Sequence, residues 1–190
     1  VGFEEMLSQW GDLTQIQVYN WGQTKGGDAA KLDDAMVAKL DALEHIRVAT
    51  PVYQAKYLNA GVTAGPNGRY AMQYAAVVGI DPKAIRELEY ELVSGSYLPD
   101  TPPSAANGKK RVQVLVGENA GYNFTDTKKR GEKAYRYKGA VDAAGRALPP
   151  FVDVAKDKMT LRAQSADQRT TAFAYELSVQ GVMRSDFKKG

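Results

Sequence analysis

Ala172-Phe173-Ala174-Tyr175-Glu176-Leu177-Ser178-Val179-Gln180-Gly181-Val182 alternates along its length, with Phe173, Tyr175, Leu177 and Val179 on one side. A period of two is the mark of a strand that buries one face. Working outward, Met159–Ala163 reads as a second late strand, and the β-branched run Arg111–Val116 as a buried one. That run leads through Gly117 into an expected short helix, Glu118–Tyr122. Arg69–Ile80 is expected as one long strand, with Tyr70, Met72, Tyr74, Ala76 and Val78 on a single face. Ahead of it, the glycine- and asparagine-containing stretch Asn59–Gly68 reads as a turn region. Arg47–Tyr53 is a further strand, marked by Pro51 as an edge or bulged one because proline cannot donate to a ladder. Thr14–Tyr19 alternates in the manner of a half-buried strand.

Helical spacing is rarer. Leu32, Ala35, Met36, Leu40 and Leu43 make Lys31–Leu43 an amphipathic helix, with Asp33, Asp34, Lys39, Asp41 and Glu44 mostly on its solvent side. His45 stands at its end, where histidines favour the last carbonyls. Asp81-Pro82 opens a short helix running to about Leu88, aspartate as N-cap and proline in the first turn. Phe3, Met6, Leu7, Trp10 and Leu13 predict an amphipathic start to the chain. Gly22–Asp28 and Tyr97–Gly108 read as irregular. Many strands, few helices and no regular βα alternation predict an α+β fold.

The composition is that of a globular chain: 190 residues, 44% hydrophobic and 25% charged, with a net charge of +3. The absence of cysteine removes disulfides, thiolate metal sites and a cysteine nucleophile. A single histidine removes any site that needs two. No uncharged run exceeds 12 residues (Leu13–Thr24 and Tyr57–Gly68), short of the roughly 20 that a spanning helix requires. No targeting signal follows Val1, and the start without methionine predicts a chain cut from a longer one.

Charge is uneven. Residues 101–150 carry 10 Lys/Arg against 4 Asp/Glu, whereas residues 1–50 carry 4 against 8. The density peaks at Lys128, Lys129, Arg130, Lys133, Arg136, Lys138 and Arg146, with Tyr135 and Tyr137 interleaved. The plainest reading is a solvated hairpin or loop. Two functional readings compete with it: a nucleic-acid grip by phosphate contacts and stacking, or a face toward anionic headgroups or an acidic partner. No recognisable nucleic-acid motif accompanies the run. Lys128, Lys129, Arg130, Lys133, Tyr135, Arg136, Tyr137 and Lys138 are therefore the candidate partner- or lipid-facing residues.

Catalytic patterns are missing. Neither the Gly26-Gly27 stretch nor Gly117-Glu118-Asn119-Ala120-Gly121 has the ending of a phosphate loop. No Gly-x-Ser-x-Gly elbow occurs. Glu87, Glu89 and Glu91 alternate in an expected exposed segment, which reads as solvation. No catalytic, cofactor-binding or metal-ligating residue is assigned, and the chain reads as a non-enzyme.

One ordered series of short motifs remains: Trp10-Gly11-Asp12-Leu13 with Ile16-Gln17-Val18; Leu40–Leu43 leading to Ile46-Arg47-Val48-Ala49-Thr50-Pro51; Val77-Val78-Gly79-Ile80-Asp81-Pro82; Leu92 through Gly95 to Leu98; Val112-Gln113-Val114-Leu115-Val116-Gly117; and Val179-Gln180-Gly181-Val182. In this order and spacing the chain resembles the extracytoplasmic (periplasmic-core-like) domain of MacB-like and FtsX-like ABC-transporter permeases. The resemblance implies a mixed β-α-β "porter"-like lobe over residues 1–68, with an inserted β-rich "sabre"-like lobe over 69–190 that carries a basic insertion at 124–152. It implies no cofactor and no catalytic centre. The implied place is the extracytoplasmic face of the bacterial cell membrane. Implied partners are the transmembrane and ATPase parts of the same transporter, with an adaptor or an exported peptide or lipoprotein, and no nucleic acid. Two features depart from the family. Its usual second β-α-β unit is missing after Val182, and Phe124–Val152 is longer and more basic, with Phe124 as the remnant of a shorter motif. The alternative is a free-standing secreted or surface binding domain, and after it a nucleic-acid-binding module.

Overall fold

In a computed structural model the described residues are 14–19, 31–54, 58–101, 110–165 and 173–185. They form an α+β fold. Strand β9 (Phe173–Met183) organises it. Along one edge runs β6 (Arg111–Gly117), parallel to it. Along the other edge two strands share its length, both antiparallel. β8 (Met159–Ser165) pairs residues 173–177, and β5 (Leu92–Gly95) pairs residues 181–183. The sheet continues from β8 through β2 (Leu58–Ala64) and β3 (Tyr70–Met72) to β7 (Thr125–Asp126). A separate two-stranded sheet joins β1 (Val52–Gln54) to β4 (Val78–Ile80).

The strand read at 172–182 is thus present from its first described residue, Phe173, and runs one residue past Val182, and the strand read at 159–163 is present too. The helix expected over Lys31–Leu43 is shorter: α1 (Asp34–Asp41) begins where Asp33 accepts a hydrogen bond from the Met36 N–H at 3.0 Å, and Leu32 and Leu43 lie outside it, exposed. Helix α2 (Pro82–Glu87) has the expected start, with Asp81 accepting from the Lys83 N–H at 2.8 Å. Its Ala84 and Ile85 are buried.

Several expectations are corrected. Asn59–Gly68 is mostly strand: Ala60, Val62 and Ala64 alternate into the core, and only Gly65–Arg69 turns. Gly61 is there for space, since a Cβ would lie 3.1 Å from the Met72 carbonyl oxygen. The long strand at 69–80 is two strands in two sheets, β3 bonding to β2 and β4 to β1. Tyr74 between them is exposed. Residues 14–19 form no strand, and Ile16 and Val18 face solvent. Of Arg47–Tyr53 only Val52 and Tyr53 lie in a strand. β6 is half-buried rather than buried, and the helix expected at 118–122 is a 3-10 turn at Ala120–Asn123. Glu89 and Glu91 do more than solvate: they pair with Arg47 at 2.9 Å and Arg184 at 3.0 Å. The helix expected at Phe3–Leu13 and the loop at Gly22–Asp28 lie outside the described residues.

The core lies on one face of the large sheet. Val62, Ala64, Met159 and Val182 meet Phe124, Val152 and Val154, which arrive on the irregular segments around 120–124 and 150–154. These segments approach closely at Gly121, where a Cβ would stand 2.3 Å from the Val152 carbonyl oxygen. The division between lobes expected after residue 68 falls in the β2–β3 hairpin, and both of its strands belong to this sheet. The basic stretch is the irregular chain between β7 and β8, held by a 3-10 turn at Gly131–Ala134 and an isolated bridge between Val141 and Ala147.

Candidate functional site

The site is built on the β2–β3 hairpin. Its tight turn places Gly65, Asn67 and Gly68 at positive φ. Gly65 also leaves room for a ring: a Cβ there would lie 2.7 Å from Cδ2 of Tyr70. β3 then pairs with β7 in a register that sets Tyr70 opposite Asp126, and this brings Arg69 to the Asp126 carboxylate.

Asp126 is buried, and its charge is answered on all sides. Arg69 donates to both carboxylate oxygens, from Nε at 2.9 Å and from Nη2 at 2.6 Å. The Lys128 N–H donates at 3.1 Å, and Lys129 Nζ stands 3.9 Å away. The Arg69 hydrogen bonds lead the causes that hold the carboxyl at about 2, against the opposing effect of burial, and the same bonds raise the Arg69 pKa. Thr127 closes the turn, its N–H and Oγ1 donating to the Arg69 carbonyl at 3.0 and 2.8 Å.

Beside this pair stands a column of rings and cations. Tyr70 stacks on Phe151, with centroids 5.4 Å apart and planes 12° apart, and Arg69 Cζ lies 5.3 Å from the Tyr70 centroid. Arg136 Cζ is 4.8 Å from the Phe151 centroid and Lys129 Nζ is 5.9 Å from it. Each such contact contributes about 0.5–2 kcal/mol, more as water is excluded. After the buried Ala134, Tyr135 is extended, and successive side chains of extended chain point in opposite directions. Arg136 turns inward to Phe151. Tyr135 and Tyr137 turn outward and stack on each other at 6.4 Å, both exposed.

Of the candidate residues, the structure therefore joins Lys129 and Arg136 on one ring and pairs Tyr135 with Tyr137. Lys128, Arg130, Lys133 and Lys138 remain exposed around them, with no ion pair among the described residues. Arg146, the outlying member of the run, pairs with Asp142 at 2.8 Å. Sequence reading missed Arg69, Tyr70, Asp126 and Phe151, because each lies outside the basic run or breaks its sign. The one available signal was the lone aspartate two residues ahead of Lys128.

No other chemistry gathers among the described residues. No group of three histidine, aspartate or glutamate side chains could hold a metal ion. His45 is exposed at positive φ, its Nε2 3.6 Å from a Glu44 carboxylate oxygen. A shallow apolar hollow of about 190 Å³ is lined by Ala60, Val112, Leu161, Phe173 and Tyr175. None of the described helices is long and apolar enough to cross a membrane.

Fold and site together define an α+β domain whose one-sided core supports a cationic face backed by aromatic rings. Comparison with known protein families, curated proteins and solved structures finds no match.

Proposed function

We propose that this chain is a non-catalytic extracytoplasmic domain of an ABC-transporter permease of the MacB-like and FtsX-like kind. In this reading it engages a substrate or partner protein outside the membrane and passes on motion driven by ATP hydrolysis elsewhere in the transporter. The observation that carries the reading is the ordered series of motifs from Trp10-Gly11 to Val179-Gln180-Gly181-Val182. It is supported by the pairing of Gly95 with Gly181, which brings two of those motifs face to face across β5 and β9.

The cationic face is the surface through which the domain meets its partner. Of the six Lys and Arg residues at 128–138, only Lys129 has a carboxylate within ion-pair distance among the described residues. That leaves a charge excess that an acidic or anionic surface would complement. Two experiments test the proposal. The full open reading frame should show apolar helices on both sides of this chain, and their absence would remove the permease assignment. Glutamate at Lys128, Arg130 and Lys133 together should impair the intact transporter while shifting the domain's stability by no more than about 0.5 kcal/mol per site. Unchanged transport would remove the face from the proposal.

A nucleic-acid reading has one observation in its favour, the exposed Tyr135–Tyr137 stack among cations. It predicts salt-dependent oligonucleotide binding, lost when Lys128, Lys129 and Arg130 become alanine. No binding at low salt would discard it.

A further inference from the structure

We infer that Arg136 and Lys129, on the ring of Phe151, form a binding site for a dianionic phosphate group. The inference rests on reading this face as a binding surface, and it names the chemical group the face takes.

Charge comes first. Arg69 and Asp126 neutralise each other through two hydrogen bonds. Among the described residues, Arg136 and Lys129 then add two positive charges at one aromatic ring, since Asp126, 3.9 Å from Lys129, is already neutralised by Arg69. Two cations confined to one ring repel each other, and a doubly charged anion between them removes that repulsion. A single carboxylate would leave one charge unanswered. Glu132, the carboxylate nearest to Arg136 in sequence, makes no ion pair among the described residues.

The donors come second. The Arg136 Nε–H is buried and has no acceptor among the described residues. A buried N–H without a partner is costly and uncommon, and here it belongs to a guanidinium whose fork suits phosphate oxygens. Phe151 holds that guanidinium from beneath and is itself held by Tyr70. The Arg136 donor is therefore held in place before an anion arrives, which lowers the cost of binding. Lys129 is half-exposed and Arg136 only partly buried, so both side chains meet solvent. Lys128, Arg130 and Lys133 lie close by in the chain and raise the local concentration of anions.

The test follows the Arg136 Nε–Hε resonance of the 190-residue chain as inorganic phosphate is added at constant ionic strength. A saturable shift of that signal is expected, with chloride at the same strength producing none. Arg136→Gln, followed through the backbone amide resonance of Lys129, should weaken phosphate binding by about tenfold or more, as loss of a charge-assisted hydrogen bond implies. Arg136→Lys, which keeps the charge but not the fork, should also weaken it, and Lys129→Gln is a second variant that leaves Arg136 in place. Vesicles of phosphatidylcholine with and without phosphatidic acid separate the sources: binding only to the acidic vesicles, competed by phosphate, identifies a lipid headgroup, whereas phosphate binding with no vesicle binding identifies a soluble phosphate. No shift with phosphate, or an equal shift with a glutamate-rich peptide, would overturn the inference. Either result leaves the permease reading to be judged separately, on the flanking helices.

Discussion

Asp126 shows how a single residue shapes the site. Its carboxylate is buried, yet it stays ionised because Arg69 supplies two hydrogen bonds and the Lys128 N–H a third. Held at about 2 against an ordinary 3.8, it binds its proton less readily folded than unfolded. The stability it contributes is complete above about 3.8 and is lost as the pH falls through about 2. Asp126→Asn should therefore lower the melting temperature at neutral pH. The gap from wild type should close across that acid window in thermal melts followed by circular dichroism. A gap that stays constant through the window would mean the ionised carboxylate is not its source. Phe124 and Val152 beside this site carry no charge and act by filling space, both being fully buried.

Elements meet most tightly where β5 crosses β9. Gly95 sits at φ 82°, and a Cβ there would lie 2.2 Å from the Gln180 carbonyl oxygen. At Gly181 one would lie 2.7 Å from the Ser96 carbonyl oxygen. Gln180 is the extra residue of a bulge, since Val114 and Leu115 of β6 face Val179 and Gly181, and bulges strengthen local twist. Gly95→Ala combines backbone strain with overpacking, and should cost about 3 kcal/mol in urea unfolding. Gly117→Ala, in β6 on the other edge of β9 with nothing within 4 Å of the added carbon, is the control and should change stability by less than about 1 kcal/mol. Equal effects at the two positions would refute this account of Gly95. At this scale some features were legible in the sequence and others were not. The start of α2 could be read from Asp81-Pro82 because capping is decided within a few residues. β2 could not, because Asn59 and Gly61 suggest a turn until Met72 on the neighbouring strand supplies the reason for a glycine.

Across the whole molecule, β9 joins β6, β8 and β5, strands drawn from widely separated parts of the chain. Its pairing must await the closure of long loops, which makes such folds slow to form. A chain ending at Ser165 would lack the strand on which three others depend. It should show neither a cooperative melt nor dispersed amide resonances. A cooperative transition in that truncated chain would show that β2, β3 and β8 hold the fold without β9. The site depends on the same architecture, since Arg69 and Asp126 are 57 residues apart and meet through the pairing of β3 with β7.

By itself the sequence determined the α+β character, the late strands, the start of α2, the absence of thiol chemistry and the place of the cationic excess. All of these follow from neighbouring residues or from counting, where period, capping and charge act locally. Only the tertiary structure decided that Arg69–Ile80 divides between two sheets, that Asn59–Ala64 is a strand, and that Phe151 gathers Tyr70, Arg136 and Lys129. Those outcomes turn on which distant backbone groups satisfy one another and which rings fill the same space, and no short stretch of chain contains that information.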